Sequence, residues 1–198
     1  MTMFVQTIAE DDATGPVADF YRQQRSTWGF LPNHARVFSS RPDVAQAWAA
    51  LNGAIRGNMD RRLFELATVA AARALRSTYC TAAHSRFLRE ASGDDTVLSA
   101  IADDPSGSGL GPQDRAVFEF AAKVAIDAVS ITQEDVDRLH AHGLTDLDIT
   151  NIVFAAAARC FFTRVLDGLG AQLDVEIADS FSPALLASMI VGRPVHPT

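Results

Sequence analysis

The sequence predicts an all-α protein. Apolar residues recur three and four apart in one segment after another, and no run alternates as a half-buried strand would. Residues that start and stop helices fall where those segments begin and end: prolines at the openings and glycines at the ends. A nine-residue stretch also echoes itself. Glu65-Leu-Ala-Thr-Val-Ala-Ala-Ala-Arg73 parallels Asn151-Ile-Val-Phe-Ala-Ala-Ala-Ala-Arg159, so two weakly related helical halves are expected.

The elements follow in order. Met1 to Asp12 reads as an irregular arm. Pro16 opens a helix through Phe20 and Tyr21 to Trp28, which Gly29 ends. Residues 30–34 form a turn, and His34 is expected there as a polar turn residue rather than a ligand. A short helix covers Ala35 to Phe38. Pro42 opens the next, with Val44, Ala47, Trp48 and Leu51 on one side. Trp28 and Trp48 are expected in the core or at an interface. Asn58 or Asp60 caps the alanine-rich helix that bears Glu65 and ends near Arg76. Its small residues allow close approach of neighbouring helices. Ser77 caps a further helix, which runs to Ala91 and stops at Ser92-Gly93.

Asp94 to Ala102 is short, and residues 103–109 are turn formers that divide the halves. Pro112 starts a helix through Phe118 and Phe120. Thr132, with Asp135 three residues on, caps another that stops at His142-Gly143. Thr145 or Asp146 caps a long helix from Leu147 to about Asp167. Its middle is apolar nearly all round, as befits a buried helix. Ser182 to Ile190 is the last helix.

The chemistry concentrates between Glu65 and His84. Cys80 and His84 are four apart, so they share a helix face, and Ser77 lies on it too. In the first turn the positive helix end favours a thiolate over a thiol. A thiol, an imidazole one turn on and a carboxylate on the preceding helix are the parts of an activated cysteine. Cys-x-x-x-His is only half a zinc pattern and has no second pair, so neither a metal nor another cofactor is expected.

Composition narrows the class. The 198 residues carry a net charge of −7, with 17 basic residues of which Lys123 is the one lysine. No basic run interleaved with aromatics points to nucleic acid. No charged start followed by an apolar run marks a signal peptide. Ile152 to Ala158, the longest mostly apolar stretch, is too short to span a bilayer. Cys80 and Cys160 do not make a disulfide framework. One domain over residues 1–198 and a cytoplasmic, reducing home are the expectations.

The alanine-rich helix with its glutamate, followed by Ser77-x-x-Cys80-x-x-x-His84, resembles the carboxymuconolactone decarboxylase and alkylhydroperoxidase D superfamily. Gly29-Phe-Leu-Pro-Asn33 is similar to a Gly-Phe-x-Pro-Asn turn in its peroxidase-related members. Residues 114–146 and the tail ending Val191-Gly-Arg-Pro194 also look like members of that family. The resemblance covers residues 16–173. It implies an alkylhydroperoxidase D-like helical fold that assembles as trimers or hexamers. It also implies a site in which Glu65 relays protons, Cys80 is the second of two cysteines, and His84 is the histidine. The first cysteine falls on Ser77, so the intramolecular disulfide of those relatives cannot form. Cys160 pairs with Ala74 in the echo and is expected to be buried and structural.

Three readings follow. The first is a peroxidase with a single reactive cysteine, acting on a small hydroperoxide and regenerated by an external thiol. The second is a lactone decarboxylase or related acid–base enzyme that relies on His84 and Glu65. The third is a catalytically degenerate oligomeric member of the family.

Overall fold

The computed structural model describes residues 3–195, and every regular element among them is helical. The order is α1 (Gly15–Trp28), α2 (Asn33–Val37), α3 (Pro42–Arg56), α4 (Arg61–Ala74), α5 (Thr78–Ser92), α6 (Thr96–Asp103), α7 (Pro112–Asp127), α8 (Gln133–Ala141), α9 (Asp146–Leu169), α10 (Val175–Ala178) and α11 (Pro183–Met189). The expected helices are present. The short α10 is an addition.

Helix α4 is the centre of the packing and lies against α5, α7 and α9. Leu66, Ala67, Ala70 and Ala71 are fully buried; side chains this small let three helices close on one. Asp60 is the cap, with Oδ1 accepting the Leu63 N–H at 2.8 Å. Thr145, not Asp146, caps α9 through a reciprocal box with Asp148. Thr132 and Asp135 form the same box on α8.

By length and composition alone, α9 is apolar enough to cross a membrane. It instead packs against α3, α4 and α7, with Ile152, Ala156 and Leu166 fully buried. That is the signature of a core helix.

The two terminal segments are tied down on α9 and on the α4–α5 connection. The Phe4 N–H donates to the Leu169 carbonyl at 3.0 Å, and the Arg193 guanidinium lies over the Phe4 ring. Arg73 donates to the Ser188 carbonyl at 3.0 Å. The Gly192 N–H donates to Thr78 Oγ1 at 3.1 Å. A Cβ on Gly192 would stand 1.8 Å from the Arg76 carbonyl oxygen, so only glycine fits. Gly192→Ala is therefore expected to dislodge the tail and lower stability by about 1–3 kcal/mol. Thermal melts and amide exchange at Thr78 check this, and an unchanged melting temperature refutes it.

Candidate active site

Six helices meet around a cavity of about 380 Å³, within the usual range for small-molecule sites. Helix α4 supplies Glu65 and α5 supplies Cys80 and His84. Helix α9 supplies Arg159 and Phe162, and α2 supplies His34. Trp28 and Trp48 form part of the wall. They do not merely fill core or interface, as expected from sequence. Trp48 stacks on Phe162 at a centroid distance of 5.0 Å.

Glu65 and His84 come together as the sequence predicts. Glu65 Oε2 is 2.6 Å from His84 Nδ1. A carboxylate in that position holds the proton on Nδ1 and leaves Nε2 as the basic nitrogen. Burial lowers the His84 pKa, and the nearby Arg159 charge lowers it further. Glu65 opposes both. His84 is therefore a neutral imidazole near pH 7, able to accept a proton.

Cys80 lines the same cavity but is only 1% exposed. Here the expectation of a depressed thiol pKa is corrected. Burial dominates and pushes it up. The opposing pull comes first from Arg159 and then from Ser77. The dipole of one helix end does not outweigh removal from water. Arg159 Nη1 is 4.0 Å from Cys80 Sγ.

Ser77 occupies the N-cap position but its side chain does not cap the helix. Its hydroxyl is enclosed and has no partner at ordinary hydrogen-bond geometry. It does lie close enough to Cys80 and Asp167 to draw both pKa values downward. Ser77 thus belongs to the thiol's surroundings rather than to the helix end.

Cys160 is half-buried, not buried. Its thiol faces the Ala156 carbonyl at 3.4 Å and that of Ala125 at 3.7 Å. It is absent from the cavity wall, and both cysteines are free thiols. Among the described residues, no three His, Cys, Asp or Glu side chains converge as metal ligands would.

The sequence did not point to a second buried chain of polar groups. His34, assigned to a turn, lies in α2 and is buried. Tyr79 donates its hydroxyl to Asp174 Oδ2, and its oxygen lies 3.0 Å from His34 Nδ1. On the other side of the ring, His34 Nε2 lies 3.1 Å from Gln24 Oε1. Asp174 Oδ1 takes the Asn33 N–H at 2.8 Å. Burial raises Tyr79 well above its ordinary value and lifts Asp174 to about 6. Burial, with help from Arg159, lowers His34 to about 3.

Because His34 stays neutral in the folded state, its contribution to stability is whole above pH 6.5. It is lost as the pH falls from 6.5 toward 3. Asp174 works in the opposite sense, since its protonated form adds stability as the pH falls from about 6 toward 3.8. The variant His34→Gln is expected to shed the acid sensitivity and keep the acid stabilisation. Its melting temperature should therefore drop less than that of the wild type between pH 7 and pH 4.5. Equal drops would refute this.

A thiol, a histidine–glutamate pair and a buried guanidinium thus face one cavity on an all-helical scaffold. Residues 42–123 match the model of the carboxymuconolactone decarboxylase family. No curated protein matches the chain. Several solved structures share its fold. One is an alkylhydroperoxidase AhpD core, an uncharacterized peroxidase-related protein from Ralstonia eutropha JMP134. It is 24% identical with a TM-score of 0.78, over 88% of this chain and 94% of that one. Another is a peroxidase-related protein from Silicibacter sp. TM1040, 20% identical with a TM-score of 0.73, over 86% and 93% of the two chains. A third is the debrominase Bmp8 in complex with 2,3,4-tribromopyrrole, 19% identical with a TM-score of 0.72, over 96% and 97%. The matched segment carries Glu65, Cys80 and His84, and the fold of the whole chain is that of these solved structures.

Proposed function

We propose that this protein is a thiol peroxidase with a single reactive cysteine, acting on a small hydroperoxide. The observation that carries the reading is the placement of Cys80 on the same cavity wall as the Glu65–His84 pair, with Arg159 beside the sulfur. His84 Nε2 takes the thiol proton, and Glu65 steadies the imidazolium that results. The thiolate attacks the distal peroxide oxygen. The O–O bond breaks, an S–O bond forms, and Cys80 becomes a sulfenic acid. The departing alkoxide takes the proton back from His84 and leaves as an alcohol.

With Ser77 where a resolving cysteine would be needed, reduction falls to an external thiol. One thiol condenses with the sulfenic acid, releasing water and leaving a mixed disulfide. A second thiol then releases Cys80 and departs as a disulfide. The test is a sulfenic acid trap read by mass spectrometry, with Cys160 as the internal control. One equivalent of hydroperoxide should label Cys80 alone. No label on Cys80 overturns the reading.

Deep burial of Cys80 favours a second reading: an acid–base enzyme, such as a lactone decarboxylase, run by His84 and Glu65 without a thiolate. Activity on a lactone that survives alkylation of Cys80 would establish it. A degenerate member without activity is the outcome if neither test succeeds. The homo-oligomer, a trimer or hexamer in a cytoplasmic setting, belongs to the same proposal. Leu51, Phe154 and Phe161 are exposed on α3 and α9 and supply apolar surface for a second copy. Light scattering decides it.

A further inference from the structure

Arg159 is a buried charge without a counter-ion. It is 3% exposed and makes no ion pair among the described residues. Its Nε has no hydrogen-bond partner. Cys80 Sγ, 4.0 Å from Nη1, touches one corner of the guanidinium. Five N–H donors are fixed in that planar fork, and one sulfur cannot satisfy them. The rings of Trp48 and Phe162 lie under it at 5.6 and 5.4 Å. Their faces offset part of the charge but accept no N–H bond at that distance. A buried ion left so is strongly unfavourable unless something completes it.

A second observation points the same way. The protein carries a net charge of −7, yet its cavity is lined by three arginines, Arg56, Arg86 and Arg159, against a single carboxylate, Glu65. That carboxylate is engaged with His84. A positive cavity in an acidic protein concentrates anions there.

We propose that Arg159 anchors an anionic group of the substrate, and that the cavity takes a small flat acid whose carboxylate sits on the guanidinium fork and whose body lies against the aromatic wall. The fork offers two parallel N–H donors to a carboxylate, which a thiolate cannot use. Trp28, Trp48 and Phe162 give a flat apolar body its contact. This inference rests on the cavity being the substrate site but does not need the peroxide chemistry.

The test uses the full chain carrying Cys80→Ser, which removes the thiol. Benzoate and its neutral isostere benzamide are titrated at pH 7.5, with tryptophan fluorescence as the readout, since Trp28 and Trp48 line the cavity. Benzoate is expected to bind at least about tenfold more tightly. Adding Arg159→Met should erase that preference. Arg159→Lys, a point charge without the fork, should fall between the two. Equal affinity for the two probes, no binding of benzoate at 10 mM (on the order of the weakest useful affinity), or a preference that survives Arg159→Met overturns the proposal. The comparison of probes in Cys80→Ser alone decides the matter if the arginine variants do not fold. A protein that shows the benzoate preference but never forms a sulfenic acid would refute the peroxidase reading and leave this one standing.

Discussion

Cys80→Ser is expected to lower peroxide turnover by at least about a thousandfold, while Cys160→Ser leaves it within twofold. Removing the nucleophile of a covalent mechanism costs rates of that order, because the remaining residues cannot take its place. A serine hydroxyl does not reduce a peroxide, and no other cysteine faces the cavity. The exchange is nearly isosteric, so the fold should survive it, and a thermal melt confirms that the loss is chemical. The pH profile adds a second readout. Burial holds the Cys80 thiol above its ordinary value, so the rate should climb with pH through the neutral range into the alkaline. Arg159 opposes that shift. In Arg159→Met the rising limb should therefore move further toward alkaline pH. Turnover that persists in Cys80→Ser sinks the mechanism.

Glu65→Gln is expected to lower kcat/KM by about a hundredfold with little change in stability. General acid–base groups contribute roughly 10²- to 10⁴-fold, and the amide removes the charge while keeping the shape. Its oxygen still accepts from His84 Nδ1, so the ring stays where it is. What disappears is the one influence that holds the His84 pKa up against burial and Arg159. His84 then becomes a poorer base for the thiol proton, and the loss should be greatest at neutral pH and shrink as pH rises. A fall of less than threefold, or a loss independent of pH, would remove Glu65 from the proton relay. The same variant separates the two readings: a lactone decarboxylase activity would also collapse, but Cys80→Ser would leave it intact.

Local spacing explains why Glu65, Cys80 and His84 were legible in the chain. Two of them lie one turn apart on one helix, and the third sits on the helix just before it. Arg159 was not legible as part of the site, although it was visible. It stands on the buried stripe of α9, between Ala155 and Ala156 on one side and Thr163 and Leu166 on the other. An arginine in register with core residues is the signal that was there to find. The apolar run around it masked it. Its partner Cys80 is 79 residues away in sequence, and no local pattern joins them. The Tyr79–Asp174 bond spans 95 residues, which is why His34 read as an ordinary turn residue. The sign of the Cys80 shift was missed for a related reason. The helix end is visible in the sequence, whereas the depth of burial is a property of several elements packed together. Ser77 follows the same logic, since a good capping residue is enclosed beside the thiol and does not cap the helix.

The docked tail bears on how the site is assembled in time. Gly192, which donates to Thr78 at the start of the Cys80 helix, is encoded 114 residues downstream of it. At ordinary translation speeds of about 5–20 residues per second, roughly 6 to 22 seconds separate the emergence of the thiol from that of the segment that clasps its first turn. Arg159 follows Cys80 by 79 residues. For most of that interval the nascent chain carries the cysteine without the cation that draws its pKa down and without the burial that pushes it up. The enclosed setting of the thiol is complete only when the distant half of the chain arrives.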